Sequence, residues 1–186
     1  MTAFDEQKQR FDFDDQQWSV IKYDDHPDYR ERIAKLDDTR AVDFIGLHKQ
    51  GDEILYWIEV KDFRGYRIDS KRRLSEGKLA EEVGTKVRDS LAGVMAAYCS
   101  SSKSVEWRPF VKSMWQRKAQ IRVLLWLEED QMPGPPGRRQ NAAQIQARLL
   151  KEKLKWFTAR VFVVGQRIGG CPAGLSVTNL PGAGQP

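Results

Sequence analysis

The chain has 186 residues, of which 40% are hydrophobic and 31% charged, and a formal net charge of +5 at pH 7. That length suits one domain with a real core, and that balance is the one of an ordinary globular protein rather than a disordered chain. The sequence holds no run of 18 apolar residues, so no membrane span is expected, and the basic excess is compatible with nucleic acid without requiring it.

Residues 1–17 mix acids with Phe4, Phe11 and Phe13 and read as either a short helix or a docking arm. Residues 18–23 read as a strand and 24–28 as a turn, with Pro27 opening a short helix that runs to Leu36. Residues 41–48 and 53–63 are two strands rich in β-branched and aromatic side chains. Turn chemistry at 49–52 joins them, with Gly51 free to take a positive φ. Their near-continuous apolar runs predict cover on both faces. A basic stretch follows, with Arg64, Arg67, Lys71, Arg72 and Arg73 around Tyr66.

Residues 75–99 read as a long helix capped by Ser75. Its apolar face is Leu79, Val83, Val87, Leu91, Val94, Met95 and Tyr98, recurring at three- and four-residue steps. Ala92-Gly93 allows close backbone approach. After a loop at 100–104, the aromatic stretch from Trp107 to Trp115 reads as core or as a packed lid, with base stacking the lesser alternative. Residues 120–127 are a buried strand, and the Pro/Gly-rich segment 132–139 a surface loop. Asn141 would cap a helix over 142–157, followed by a strand at 160–164 and a short one near 175–178. This order predicts an α/β sandwich around a central sheet.

The informative charges lie in the paired strands. Asp43 stands in the first, and Glu59 and Lys61 in the second. Unpaired charges are rarely buried, because desolvating them is costly. Two carboxylates and a lysine make sense there around a hard cation, since Mg²⁺ takes one or two carboxylates together with waters and substrate phosphate. The competing account is an exposed ion pair worth little, but Trp57, Ile58, Val60 and Phe63 argue against exposure. Register decides the matter. Side chains alternate along a strand, so Glu59 and Lys61 share a face. Asp43 joins them if the pairing is centred on Gly51, opposite Glu59, or on Asp52, opposite Lys61. A regular two- or four-residue loop would oppose Asp43 to Val60, on the wrong face. An odd-length loop or a bulge is therefore expected.

Asp43, then Glu59-Val60-Lys61 on the following strand, then a long helix, resembles the PD-(D/E)XK nuclease superfamily, which includes restriction-endonuclease-like and Holliday-junction-resolvase-like enzymes. The resemblance covers about residues 18–128, within a single nuclease-like domain over 1–186 that ends in a helix–strand extension; Val42 stands where the name-giving motif has proline. It implies an α/β fold with a restriction-endonuclease-like core, a central mixed β-sheet flanked by helices. It also implies a Mg²⁺-dependent deoxyribonuclease, with Mn²⁺ able to substitute, serving bacterial defence, mobile-element processing or repair.

By the same resemblance Asp43 and Glu59 would hold one or two ions, with the Val60 carbonyl a further ligand. Lys61 would orient or help deprotonate the attacking water and offset charge on the scissile phosphate. Glu31, or else Asp25, is the candidate for the extra acid that some relatives supply from a preceding helix. Arg64, Arg67, Lys71, Arg72 and Arg73 would track the DNA backbone, with Lys86 a further DNA contact, and Lys86 or Glu82 could enter the site from the long helix. A protein partner would choose the target, and a homodimer would pair two sites by two-fold symmetry. The alternative is a catalytically inactive member of the fold acting as a DNA-binding or assembly subunit; a third reading is a protein-interaction module using the aromatic stretch.

Two distant cysteines, Cys99 and Cys171, read as reduced thiols. With the polar, acidic N-terminus, unlike a secretory signal, they lead to an expected cytoplasmic location. With only His26 and His48, histidine-based catalysis has little material, and no Cys/His cluster has zinc-ligand spacing.

Overall fold

A computed structural model of the protein describes residues 1–65, 77–115, 120–130 and 137–182, the side chain of Arg138 excepted. The chain opens with a hairpin of β1 (Thr2–Glu6) and β2 (Gln9–Phe13), paired antiparallel with Glu6 opposite Gln9. The expected helix or arm is therefore a strand pair. Its alternation is clean: Phe11 and Phe13 are fully buried, while Arg10 is exposed. Its two-residue turn, Gln7-Lys8, lacks the Asn-Gly chemistry that marks most such turns, although Gln7 adopts a φ of +54°.

β3 (Trp18–Lys22) leads to a one-turn helix α1 (Pro27–Arg30) and a 3₁₀ turn (Ile33–Lys35), in place of one helix to Leu36. Arg32 breaks the helix with φ −123° and ψ −71°. Pro27 does open α1, and His26 caps it by accepting a bond from the Asp28 amide. Next come β4 (Phe44–His48), β5 (Ile54–Asp62), the long helix α2 (Lys78–Ser100), α3 (Ser104–Trp115), β6 (Gln120–Glu128), α4 (Arg138–Leu154), β7 (Val161–Val164) and β8 (Leu175–Asn179). The aromatic stretch is thus helical, burying Trp107 and Phe110. Gly77, with φ +71°, precedes α2, and Ser75 lies outside the described residues. Helix α4 starts after Gly137, which leaves Asn141 inside it rather than capping it.

The central sheet is mixed, with order β3-β4-β5-β6-β7. β3, β4 and β5 are antiparallel, whereas β6 and β7 run parallel to β5 through helical crossovers. β1, β2 and β8 form a second, three-stranded sheet. Strand periodicity sends odd- and even-numbered residues of β4, β5 and β6 to opposite faces. The odd face, with Ile45, Leu47, Leu55, Trp57, Val123 and Leu125, packs against Leu79, Val83 and Val87 of α2, Trp107 of α3 and Leu150 of α4. The even face, with Phe44, Tyr56, Ile58, Val60, Leu124 and Trp126, packs against Phe11, Phe13 and Leu175 of the small sheet. Both faces are covered, as the apolar runs require, one by helices and the other by a sheet.

Close approach between layers depends on Gly93 of α2. A Cβ there would fall less than 3.0 Å from the hydroxyl oxygen of Tyr23, just beyond β3. Tyr23 is itself fully buried, with its ring against Tyr29 and Trp107.

Candidate metal centre

The register places Asp43 directly beside the pairing that the chemistry needs. Phe44 opposes Ile58 and His48 opposes Ile54, so five residues, 49–53, connect the strands and the ladder is centred on Gly51. This is the odd-length connection expected above. Continuing the register by one step sets Asp43 opposite Glu59, on the face that α2 covers. The Asp43 backbone is held from the other side by a bond from Tyr23 N to its carbonyl, 2.8 Å.

β5 outlasts β4 by four residues, and its free edge is completed by side chains rather than by a strand. The amide of Val60 donates to Asp43 Oδ2 at 2.5 Å. Gln7, at the hairpin turn, donates from Nε2 to the Val60 carbonyl at 3.0 Å and accepts the Asp62 amide at Oε1, 2.8 Å. The primary amide of Gln7 thus imitates one residue of a neighbouring strand. The Val60 carbonyl, assigned above as a metal ligand, accepts this bond from Gln7.

Helix α2 closes the site with polar groups on one stripe, as side chains three and four apart share a helix face. Glu82, Lys86, Asp89 and Ser90 all point at the hairpin. Ser90 Oγ accepts the Val42 amide at 2.9 Å and Asp89 Oδ2 the Arg40 amide at 3.1 Å, anchoring the lead into β4. Lys86 Nζ lies 2.6 Å from Glu59 Oε1 and 3.9 Å from Asp43 Oδ1. Lys61 Nζ bridges Glu59 Oε1 at 2.9 Å and Glu82 Oε1 at 2.7 Å. Both Lys86 and Glu82 therefore enter from the helix. Lys86, assigned above to DNA, is paired with Glu59.

The electrostatics are lopsided. Burial, and after it the neighbouring Glu59, pushes the Asp43 carboxyl well above the usual carboxylate range, with Lys86 pulling the other way. Burial works to lower Lys61, but Glu59 and Glu82 outweigh it and hold the ammonium above its ordinary value. Glu59 is fully buried, and its second oxygen, Oε2, has no hydrogen-bond partner among the described residues. A buried, orphaned carboxylate oxygen is a costly group that a ligand would satisfy. Two carboxylates on one face, one of them with an unpartnered oxygen, fit a hard divalent cation with oxygen preference.

The other acids fall differently from expectation. Glu31 is exposed at the C-cap of α1, and Asp25 is exposed and near Lys22 and Arg30. Asp24 and Glu6 are the acids that approach, each bringing a carboxylate oxygen within 4.8 Å of the others and of Asp43. Lys22 pairs with Glu6 and lies 3.4 Å from Asp24, so this cluster already carries a cation. Neighbouring acids such as Asp24 and Asp25 are indistinguishable by sequence; the end of β3 turns one inward. Glu6 and Gln7 were hidden because the N-terminal hairpin was.

Of the basic stretch, Arg64 is occupied internally. It forks onto Asp62 and donates to Asn179 Oδ1 at 2.7 Å. Arg67, Lys71, Arg72 and Arg73 lie outside the described residues. Cys99 and Cys171 are free thiols. Among the described residues no helix is long and apolar enough to cross a membrane.

No protein-family model, no curated protein and no solved structure matches this chain.

Proposed function

We propose that the protein is a metal-dependent nuclease that hydrolyses phosphodiester bonds of DNA, with the restriction-endonuclease-like core of the PD-(D/E)XK group. The observation that carries this reading is the register: a five-residue connection sets Asp43 against Glu59, with Lys61 on the same face. A mixed sheet with α2 laid over that face is the α/β setting such a site requires.

Asp43 and Glu59 would hold a Mg²⁺ or Mn²⁺ ion, which when bound lowers the pKa of a coordinated water and polarises a phosphoryl oxygen. The protein's own groups do the rest. Lys61, kept protonated by two carboxylates, is a donor rather than a base: it orients the attacking water and offsets charge on the phosphate. The Asp43–Val60 bond fixes one carboxylate oxygen and leaves Oδ1 facing the site. The water-poor surroundings of Glu59 strengthen each of these charges.

The decisive assay is cleavage of end-labelled single-stranded, duplex and plasmid DNA, with RNA as comparison, in Mg²⁺ or Mn²⁺. Cleavage should require the metal and fall by about 10²–10³-fold in Lys61→Ala, the usual cost of losing one preorganised donor. Metal-independent cleavage, or cleavage untouched by the substitution, would remove the reading.

One observation favours a second account, a non-catalytic member of the same fold that binds DNA or assembles with a partner. Lys86 already neutralises Glu59 at 2.6 Å, as a protein without a metal would need. DNA binding that weakens steeply with salt, without cleavage and without any metal-induced stabilisation, would support that account.

A further inference from the structure

We propose that Lys86 is a resident counter-ion of this site: its ammonium occupies the position between Asp43 and Glu59 that a divalent cation would take, and metal loading displaces it. The inference rests on the metal-binding reading of Asp43 and Glu59 and adds to it a residue that sets how tightly metal is held.

The geometry distinguishes the two lysines. Lys61 is tied at both ends of its reach, to Glu59 and to Glu82 on α2. Lys86 has no such second anchor among its described ion pairs, because both of its carboxylates, Glu59 and Asp43, belong to the site itself. It also approaches from the helix rather than along the strand. Glu59 Oε1 accepts both ammonium groups, at 2.9 and 2.6 Å. A divalent ion held between Glu59 and Asp43 would claim the space that the Lys86 ammonium fills, 2.6 Å from Glu59 Oε1 and 3.9 Å from Asp43 Oδ1. The two cannot share it without severe repulsion.

Lys86 has the means to leave. Its side chain is 16% exposed, and a lysine carries its charge on a flexible four-carbon stem that reaches water readily. Lys61, its charge shared between two carboxylates, remains where the chemistry needs it. The apo protein thus keeps the repulsion between its buried acids partly offset by a side chain. In exchange, metal binds only the fraction of molecules in which Lys86 has swung out. A site open in about one molecule in ten binds about tenfold more weakly than the same site without the lysine.

Calorimetric titration of the full chain with Mn²⁺, with no substrate present, tests this. Lys86→Met should bind Mn²⁺ about tenfold more tightly than the wild type. Its metal-free Tm should fall while the rise in Tm on adding Mn²⁺ grows, as linkage requires. Lys86→Gln, which keeps a hydrogen-bond donor without the charge, serves as a second variant should the methionine protein fold poorly. Equal or weaker Mn²⁺ binding in the neutral variants, beside measurable wild-type binding, overturns the role of Lys86 and leaves the metal site standing. Absence of Mn²⁺ binding in the wild type and in folded neutral variants alike overturns both.

Discussion

Asp43→Asn is expected to abolish cleavage while making the metal-free protein more stable. The activity loss should be about 10³-fold or more, as for a group acting in the transition state, because the substitution removes a charged ligand without disturbing its place: an amide oxygen can still accept the Val60 N–H. The gain in stability comes from ending a charge conflict. Asp43 is buried beside Glu59, and both burial and that neighbour oppose its ionisation. Relief of this kind is worth about 1 kcal/mol, or roughly 2–4 °C in Tm for a chain of this size.

The pH dependence carries the sign. A carboxyl whose folded pKa lies above its unfolded value binds its proton more tightly when folded. It favours the folded state fully below the unfolded pKa of about 4 and loses that contribution as pH rises through the folded value. In chelator, the Tm of wild type and Asp43→Asn should therefore be close in acid and diverge, variant above wild type, as pH climbs past the ordinary carboxylate range. A variant less stable than wild type at pH 8 would contradict the charge conflict, and retained cleavage would contradict the role of Asp43 in catalysis.

Gly93→Ala should cost about 1 kcal/mol, roughly 2–4 °C in Tm, although alanine is the better helix former by nearly 1 kcal/mol. The added methyl falls on the Tyr23 hydroxyl, and overpacking typically costs about 1–3 kcal/mol before that offset. Tyr23 has little freedom to retreat, with ring centroids of Tyr29 and Trp107 at 5.4 and 5.6 Å. The oxygen is the main obstruction, since the next atoms, Ile33 Cγ1 and Tyr23 Cζ, would stand at 3.3 and 3.4 Å. Tyr23→Phe should therefore restore most of the stability of Gly93→Ala. By itself it should stabilise by about 1 kcal/mol, because the hydroxyl is buried with no partner among the described residues. Thermal denaturation of the four proteins in the cycle measures the coupling; additive effects would show that the contact does not limit the packing.

The hairpin, the long helix and the buried strands were legible because each carries a strong period. Strand alternation in β5 and the three–four spacing of α2 are properties of the side chains themselves. Even the odd-length connection followed from chemistry, because only that register brings Asp43 to the face of Glu59. What escaped notice depended on partners distant in sequence. Phe11 and Phe13 alternate correctly, but a Gln-Lys turn carries no glycine to announce a hairpin. The Val60 carbonyl looked available because nothing local shows that Gln7 would reach it across more than fifty residues. Lys86 and Glu82 stood out as able to enter from the helix, but only the stripe they make with Asp89 and Ser90 distinguishes a polar face turned inward from one turned to water.

The three-stranded sheet has a consequence for synthesis. Its middle strand, β2, is made long before its outer strand, β8. While translation proceeds, Phe11 and Phe13 can settle against β4 and β6, but β2 presents an unpaired edge until residues 175–179 have left the ribosome. An open edge beside aromatic side chains is a template for wrong pairing. The nascent protein is thus exposed to aggregation until β8 arrives and, laid against a much earlier segment, closes the small sheet.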